Sequence, residues 1–132
     1  MIFIDLDGFK HVNDSHGHAT GDVVLAEVAR RLSNAVGEPN SAYRLGGDEF
    51  VVLLPEAARD AEVRALSVAV CSALTGRYTA DSSAFDLTAS VGGWTWGGHA
   101  NTAEDLIRKA DIDMYRHKAR LHQSAVRSDR DV

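Results

Sequence analysis

Ala42-Tyr-Arg-Leu-Gly-Gly-Asp-Glu-Phe-Val-Val-Leu-Leu54 holds two apolar pieces, Tyr43 to Leu45 and Phe50 to Leu54, on either side of Gly46, Gly47, Asp48 and Glu49. Adjacent glycines readily supply the positive φ values of a tight hairpin turn. The stretch therefore predicts two antiparallel strands carrying a pair of acidic residues at their turn. Pro55, which lacks a backbone N–H, closes the second strand.

Upstream, Met1-Ile-Phe-Ile-Asp-Leu-Asp7 alternates, with Ile2, Ile4 and Leu6 on one side of a strand and Phe3, Asp5 and Asp7 on the other. A mainly apolar strand thus ends in two carboxylates. Asn13 to Gly21 is rich in Asn, Asp, Ser, His and Gly, which predicts a loop or a broken helical turn. Leu25, Val28, Leu32 and Val36 then recur at helical spacing. Asp22 and Glu27 lie toward the amino end and Arg30 and Arg31 further along, complementing the helix dipole, and Gly37-Glu-Pro-Asn40 ends the helix.

Downstream of the hairpin, Val63, Leu66, Val70 and Leu74 form one helical face that stops at Gly76. Phe85, Leu87, Ala89 and Val91 alternate with Asp86, Thr88 and Ser90, predicting a half-buried strand that breaks at Gly92 and Gly93. A last helix opens on Thr102 as N-cap, with Asp105 in capping-box position. It is expected to bury Leu106, Ile107, Ala110 and Met114 and to finish with Arg116, Lys118 and Arg120. The order predicts an α+β sandwich, helices packed on a mainly antiparallel central sheet, as one domain over residues 1–122 with a flexible tail over 123–132.

A chain of 132 residues, 45% hydrophobic and 25% charged, suits one globular core. Its net charge of −5 has the wrong sign for a protein that grips nucleic acid, so a polyanionic ligand would need a metal cation or a local basic cluster. No apolar run approaches the ~20 residues of a membrane helix. The start resembles no secretory leader, and the expected location is cytoplasmic. The single cysteine, Cys71, cannot form an internal disulfide and is expected to pack as a small apolar side chain.

If the hairpin pairs beside the first strand, Asp5 and Asp48 face each other across neighbouring strands and build a hard oxygen site suited to Mg²⁺. The alternative is that these acids are solvated turn formers. His11, His16 and His18 also lie close in sequence, but no cysteine or fourth ligand is near, which weighs against zinc or copper. Trp94 and Trp96 favour core or edge packing over an exposed partner surface.

Arg44-Leu-Gly-Gly-Asp-Glu-Phe50, with Asp5-Leu-Asp-Gly-Phe-Lys10, Asn13-Asp14, Gly17-His18 and Gly21-Asp22, closely resembles the GGDEF family of diguanylate cyclases. The resemblance runs from Met1 to about Lys118, in the family's order and at its spacing. It implies a palm-like fold related to the nucleotide cyclases and condensation of two GTP into cyclic di-GMP with release of pyrophosphate by an antiparallel homodimer. It further implies Asp5, the Leu6 carbonyl and Asp48 as ligands of Mg²⁺, or of Mn²⁺ in its place, and Glu49 as an aid to deprotonation or a second metal ligand. Asn13 and Asp22 match the guanine-reading pair; a carboxylate accepts from guanine N1–H and the 2-amino group, which adenine does not offer together. Lys10 and Lys118 match phosphate contacts, and Arg44 sits where it can reach the triphosphate. Asp7 is expected either to belong with the acids above or to be structural, holding the loop by hydrogen bonds.

The chain departs from the family in three places. The Arg-x-x-Asp of product inhibition is Gly37 and Asn40 here, so tight feedback through that site is expected to be absent. After Lys118 the chain reads Leu121-His122-Gln123 where a further phosphate-contacting arginine is usual, with His122 or Arg120 as partial substitutes. The family's preceding helix, which covers the sheet, is not in this sequence, and neither is an amino-terminal regulatory domain. Exposed apolar side chains on one sheet face are therefore expected. The competing functional class is a catalytically silent GTP-binding or interaction module.

Overall fold

The computed structural model describes residues 1–55, 58–95 and 102–130; the side chains of 103, 106 and 125–130 lie outside that description. Its elements are β1 (Ile2–Asp7), α1 (Phe9–His16), α2 (His18–Val36), β2 (Ser41–Gly46), β3 (Glu49–Leu53), α3 (Asp60–Leu74), β4 (Gly76–Ala80), β5 (Ser83–Gly93) and α4 (Ala103–Arg130). The sheet order is β2-β3-β1-β5-β4, and every pairing is antiparallel. This is the expected α+β, palm-like architecture, with β1 at its centre.

The alternation of β1 decides the layers. Ile2, Ile4 and Leu6 are buried with Val24, Val28 and Leu32 of α2 and Val63, Val70 and Leu74 of α3. Phe3 points the other way and joins Ala110 and Met114 of α4, with Trp94 against them. Each such aliphatic side chain contributes about 1.5–3 kcal/mol on burial. A one-residue slip would drive Asp5 and Asp7 into the main core, so the register is strongly specified.

On the second face α4 covers β1 and β5, but Tyr43 and Leu53 of the hairpin remain exposed. Among the described residues no helix is long and apolar enough to cross a membrane.

Several local details refine the expectations. Of the two readings of Asn13 to Gly21, the broken helix is the one found: α1 and α2 meet at Gly17 with Asn13 inside α1, where burial of Phe9 and Val12 outweighs the weak helix propensity of the Asn, Asp and Ser around them. Gly76 opens a strand, β4, whose Tyr78 and Ala80 are buried. The strand ends at Gly93 as expected, with both glycines still in the ladder, opposite Phe3 and Ile2. Gly92 is needed there because a Cβ would lie 2.1 Å from Met114 N and 2.4 Å from Ala110 O, where the backbone of α4 crosses.

In α4, Ala110 and Met114 are buried, but Ile107, one turn before Ala110 on the same stripe, is exposed. The expected burial of Leu106 falls on a side chain outside the described set, and Trp96 also lies outside it. Thr102 does cap the helix, its Oγ1 accepting from Asp105 N at 3.1 Å. The backbone of α4 continues to Arg130, past the point where the tail was expected to begin. Cys71 is half-buried against the core, its Sγ 3.5 Å from Ala89 O.

Candidate active site at the end of β1

Because successive β1 side chains alternate, Asp5 and Asp7 share the face of Phe3 and point toward α4. On α4, Lys118 lies one turn beyond Met114 on the same face, so the contact that seats Phe3 also delivers a lysine to the carboxylates. Lys118 Nζ donates to Asp5 Oδ2 at 2.8 Å and lies 3.3 Å from Asp7 Oδ1. These groups are largely shielded from solvent, the side chains of Lys118, Asp5 and Asp7 retaining 32%, 16% and 17% exposure. Hydrogen bonding to Asp5, followed by the attraction of both carboxylates, pushes the Lys118 ammonium above its ordinary 10.5 despite some desolvation.

The strand partner of Asp5 is Glu49, an exposed residue, rather than Asp48. Asp48 instead reaches Asp5 from the hairpin turn, where Gly46 and Gly47 hold φ at 151° and 51°. Its main chain is pinned to β1 by the Leu6 N–H donating to Asp48 O at 3.1 Å. In an antiparallel ladder the carbonyl of a residue faces the same neighbour as its N–H, so the Leu6 carbonyl opens to the same side. Burial, then the negative charge of Asp5, pushes the Asp48 carboxyl above its usual 3.8. Two carboxylates and a carbonyl, of which Asp5 alone has the Lys118 ammonium against it, are hard donors fitting Mg²⁺ or Mn²⁺. Among the described residues no three His, Cys, Asp or Glu side chains converge on one point, the three histidines included.

Asn13 and Asp22 sit on adjacent helices, α1 and α2. Gly21 lets the helices close on Asn13: a Cβ there would lie 1.8 Å from Asn13 Oδ1. That oxygen is buried without a hydrogen-bond partner, a state that favours a ligand able to donate to it. Asp22 is exposed, as is Lys10 on the first turn of α1. Arg44 is turned onto the hairpin, donating from Nε and Nη2 to Gly47 O at 3.0 and 2.9 Å. His122 points back along its helix, with Nδ1 2.9 Å from Lys118 O.

Sequence reading missed the support behind Asp7. Its Oδ2 accepts from Ser90 Oγ at 2.8 Å and Thr88 Oγ1 at 3.2 Å. Ser90 is fully buried, and its position opposite Asp5 in the register is the signal that could have found it.

A family model described as diguanylate cyclase, GGDEF domain, matches residues 1–124. Diguanylate cyclase DgcN of Escherichia coli (strain K12) is 41% identical over 135 residues, covering 96% of this chain and 31% of that protein. The chain therefore spans less than a third of that relative. A sensory box/GGDEF family protein from Caulobacter crescentus CB15 has a similar structure at TM-score 0.80 and 40% identity, over 89% of this chain and 76% of that one. The GGDEF domain of TpbB from Pseudomonas aeruginosa is similar at TM-score 0.81 and 35% identity, over 90% and 74%. With a family match over nearly its whole length and a sheet that superposes on solved members, the chain belongs to the GGDEF domain family of diguanylate cyclases.

Proposed function

We propose that the chain works as a diguanylate cyclase domain, joining two GTP molecules into cyclic di-GMP in a homodimer. The observation that carries this reading is the meeting of Asp5 and Asp48 at the end of β1 with Lys118 against them. In each half-reaction the 3′-hydroxyl oxygen of one GTP bonds to the α-phosphorus of the other. The bond from that phosphorus to the pyrophosphate oxygen breaks, and the hydroxyl proton passes to a base. Two such steps close the ring and release two pyrophosphates.

Asp5, Asp48 and the Leu6 carbonyl would hold Mg²⁺, or Mn²⁺ in its place; when bound, the metal neutralises triphosphate charge and lowers the pKa of the attacking hydroxyl. Glu49, next to Asp48, is the residue assigned to receive the proton. Asn13 and Asp22 select guanine, and Lys10, Arg44 and Lys118 bind phosphate oxygens. Among the described residues one chain carries one carboxylate site of this kind, whereas the product needs two activated nucleotides, so two chains must meet face to face. A GTP substrate and a cysteine with no internal partner suit the cytoplasm.

The test is to incubate the full chain over a range of protein concentrations with GTP and Mg²⁺ and quantify cyclic di-GMP by chromatography. The reading expects product that rises more than linearly with protein and vanishes in Asp48→Ala. A folded dimer that binds GTP and yields no product would leave a binding module instead.

A further inference from the structure

Asp7 is the acidic residue at the site to which the proposed reaction gives no part, and yet it is the most tightly held. Its Oδ2 takes hydroxyl donors from Ser90 and Thr88 on β5, which orients the carboxyl group. The other oxygen, Oδ1, is buried and receives no aligned hydrogen bond, although Lys118 Nζ is only 3.3 Å away. That contact is an ion pair without hydrogen-bond alignment, because the ammonium is directed at Asp5, 2.8 Å away. Lys118 is thus shared unequally between two carboxylates with different neighbours: Asp5 lies beside Asp48, and Asp7 lies beside two hydroxyls.

We propose that Asp7 is a positioning residue for Lys118, an oriented anion that keeps the ammonium at the site when Asp5 is taken by a cation. The inference rests on the reading of Asp5 as a metal ligand and Lys118 as a phosphate contact. A carboxylate that binds a divalent cation has little attraction left for an ammonium, so Lys118 must leave Asp5 at that moment. A long lysine side chain released into water regains rotamer freedom, and its phosphate contact weakens accordingly. Asp7 prevents that release. Its buried Oδ1 gains the aligned donor it lacks, and the remaining ammonium hydrogens stay available to a triphosphate.

A double-mutant cycle on GTP binding in the presence of Mg²⁺, read by calorimetry on the full chain, tests this. Lys118→Met is expected to weaken GTP binding about tenfold or more and Asp7→Asn about fivefold, with the double variant no weaker than Lys118→Met alone. Ser90→Ala should show a smaller loss, about twofold to threefold, that also disappears in the Lys118→Met background. It serves as the test variant if Asp7→Asn does not fold. A purely structural role would lower the thermal midpoint and reduce binding by the same factor with or without Lys118; that additive result overturns the proposal. GTP binding unchanged in Lys118→Met, or absent in the wild-type chain, overturns the underlying reading and the proposal with it.

Discussion

Gly21 and Asn13 approach so closely that a Cβ on the glycine would lie 1.8 Å from Asn13 Oδ1. The crowded atom is the end of a side chain, which can swing aside, and not backbone. In an ordinary helix interior Gly→Ala gains about 1 kcal/mol. Gly21→Ala should therefore fold with an unchanged or raised thermal midpoint while GTP binding weakens about tenfold, because Asn13 is displaced. Calorimetry with GTP and ATP checks this, and an unaltered preference for GTP would remove Asn13 from base recognition.

Gly92 faces the opposite situation, since the atoms its Cβ would strike, Met114 N and Ala110 O, are backbone. Neither can rotate away, so α4 must shift off the sheet. Gly92→Ala is expected to lose about 2–4 kcal/mol and to lower the thermal midpoint by roughly 8–16 °C. The same shift moves Lys118 away from Asp5, so GTP binding should fall in whatever fraction remains folded. A midpoint within a degree or two of wild type in a calorimetric scan would contradict the close packing of α4 on β5.

Asp48 pays for its position through its ionisation. Its pKa is raised in the folded chain, so the penalty of the ionised form is fully present above that raised pKa and relieved as pH falls through it toward 3.8. Without metal, Asp48→Asn should be more stable than wild type at pH 7, and the difference should shrink toward pH 4. Adding Mg²⁺ should raise the wild-type midpoint and leave the variant unmoved. Thermal scans across pH, with and without Mg²⁺, give the answer; a variant less stable than wild type at pH 7 without metal would contradict the charge crowding.

Gly37 and Asn40 close α2 rather than presenting charge. Gly37 has φ 58° and donates its N–H to Ser33 O, while Asn40 Nδ2 donates to Val36 O at 3.1 Å. Neither side chain offers a guanidinium or a carboxylate to a phosphate or a base. Cyclic di-GMP should not bind this turn, and Asn40→Asp should leave the response to added product unchanged. A calorimetric titration with cyclic di-GMP in which Asn40→Asp abolishes binding would refute this.

The carboxylate site is partly legible in the sequence. The pattern predicts that Asp5 and Asp48 meet, and they do, but through the turn, since the ladder pairs Asp5 with Glu49. The contact of Lys118 with Asp5 leaves no local mark, because the two are 113 positions apart. Asn13 reads as part of a loop or a broken helical turn because its neighbours favour turns, and the buried pair Phe9 and Val12 decides for the helix. The strand from Gly76 to Ala80 escapes a pattern reading for a similar reason: it is short, and only Tyr78 and Ala80 carry its alternation.

By itself the sequence determined what depends on side-chain direction along a short stretch. The period of two in Ile2 to Asp7 set a strand with one apolar and one acidic face, the spacing of Val28, Leu32 and Val36 set a helix, and Gly46-Gly47 set the hairpin. Such patterns are local, because burial repeats with the geometry of a single element. Only the tertiary structure decided which strands flank β1, that Lys118 and Asp7 belong to one ion cluster supported by Ser90, and that Gly92 lies under the backbone of α4. Those relations follow from Phe3 packing on Met114 and from the close crossing of α4 over Gly92, contacts between residues far apart in the chain that no local period encodes.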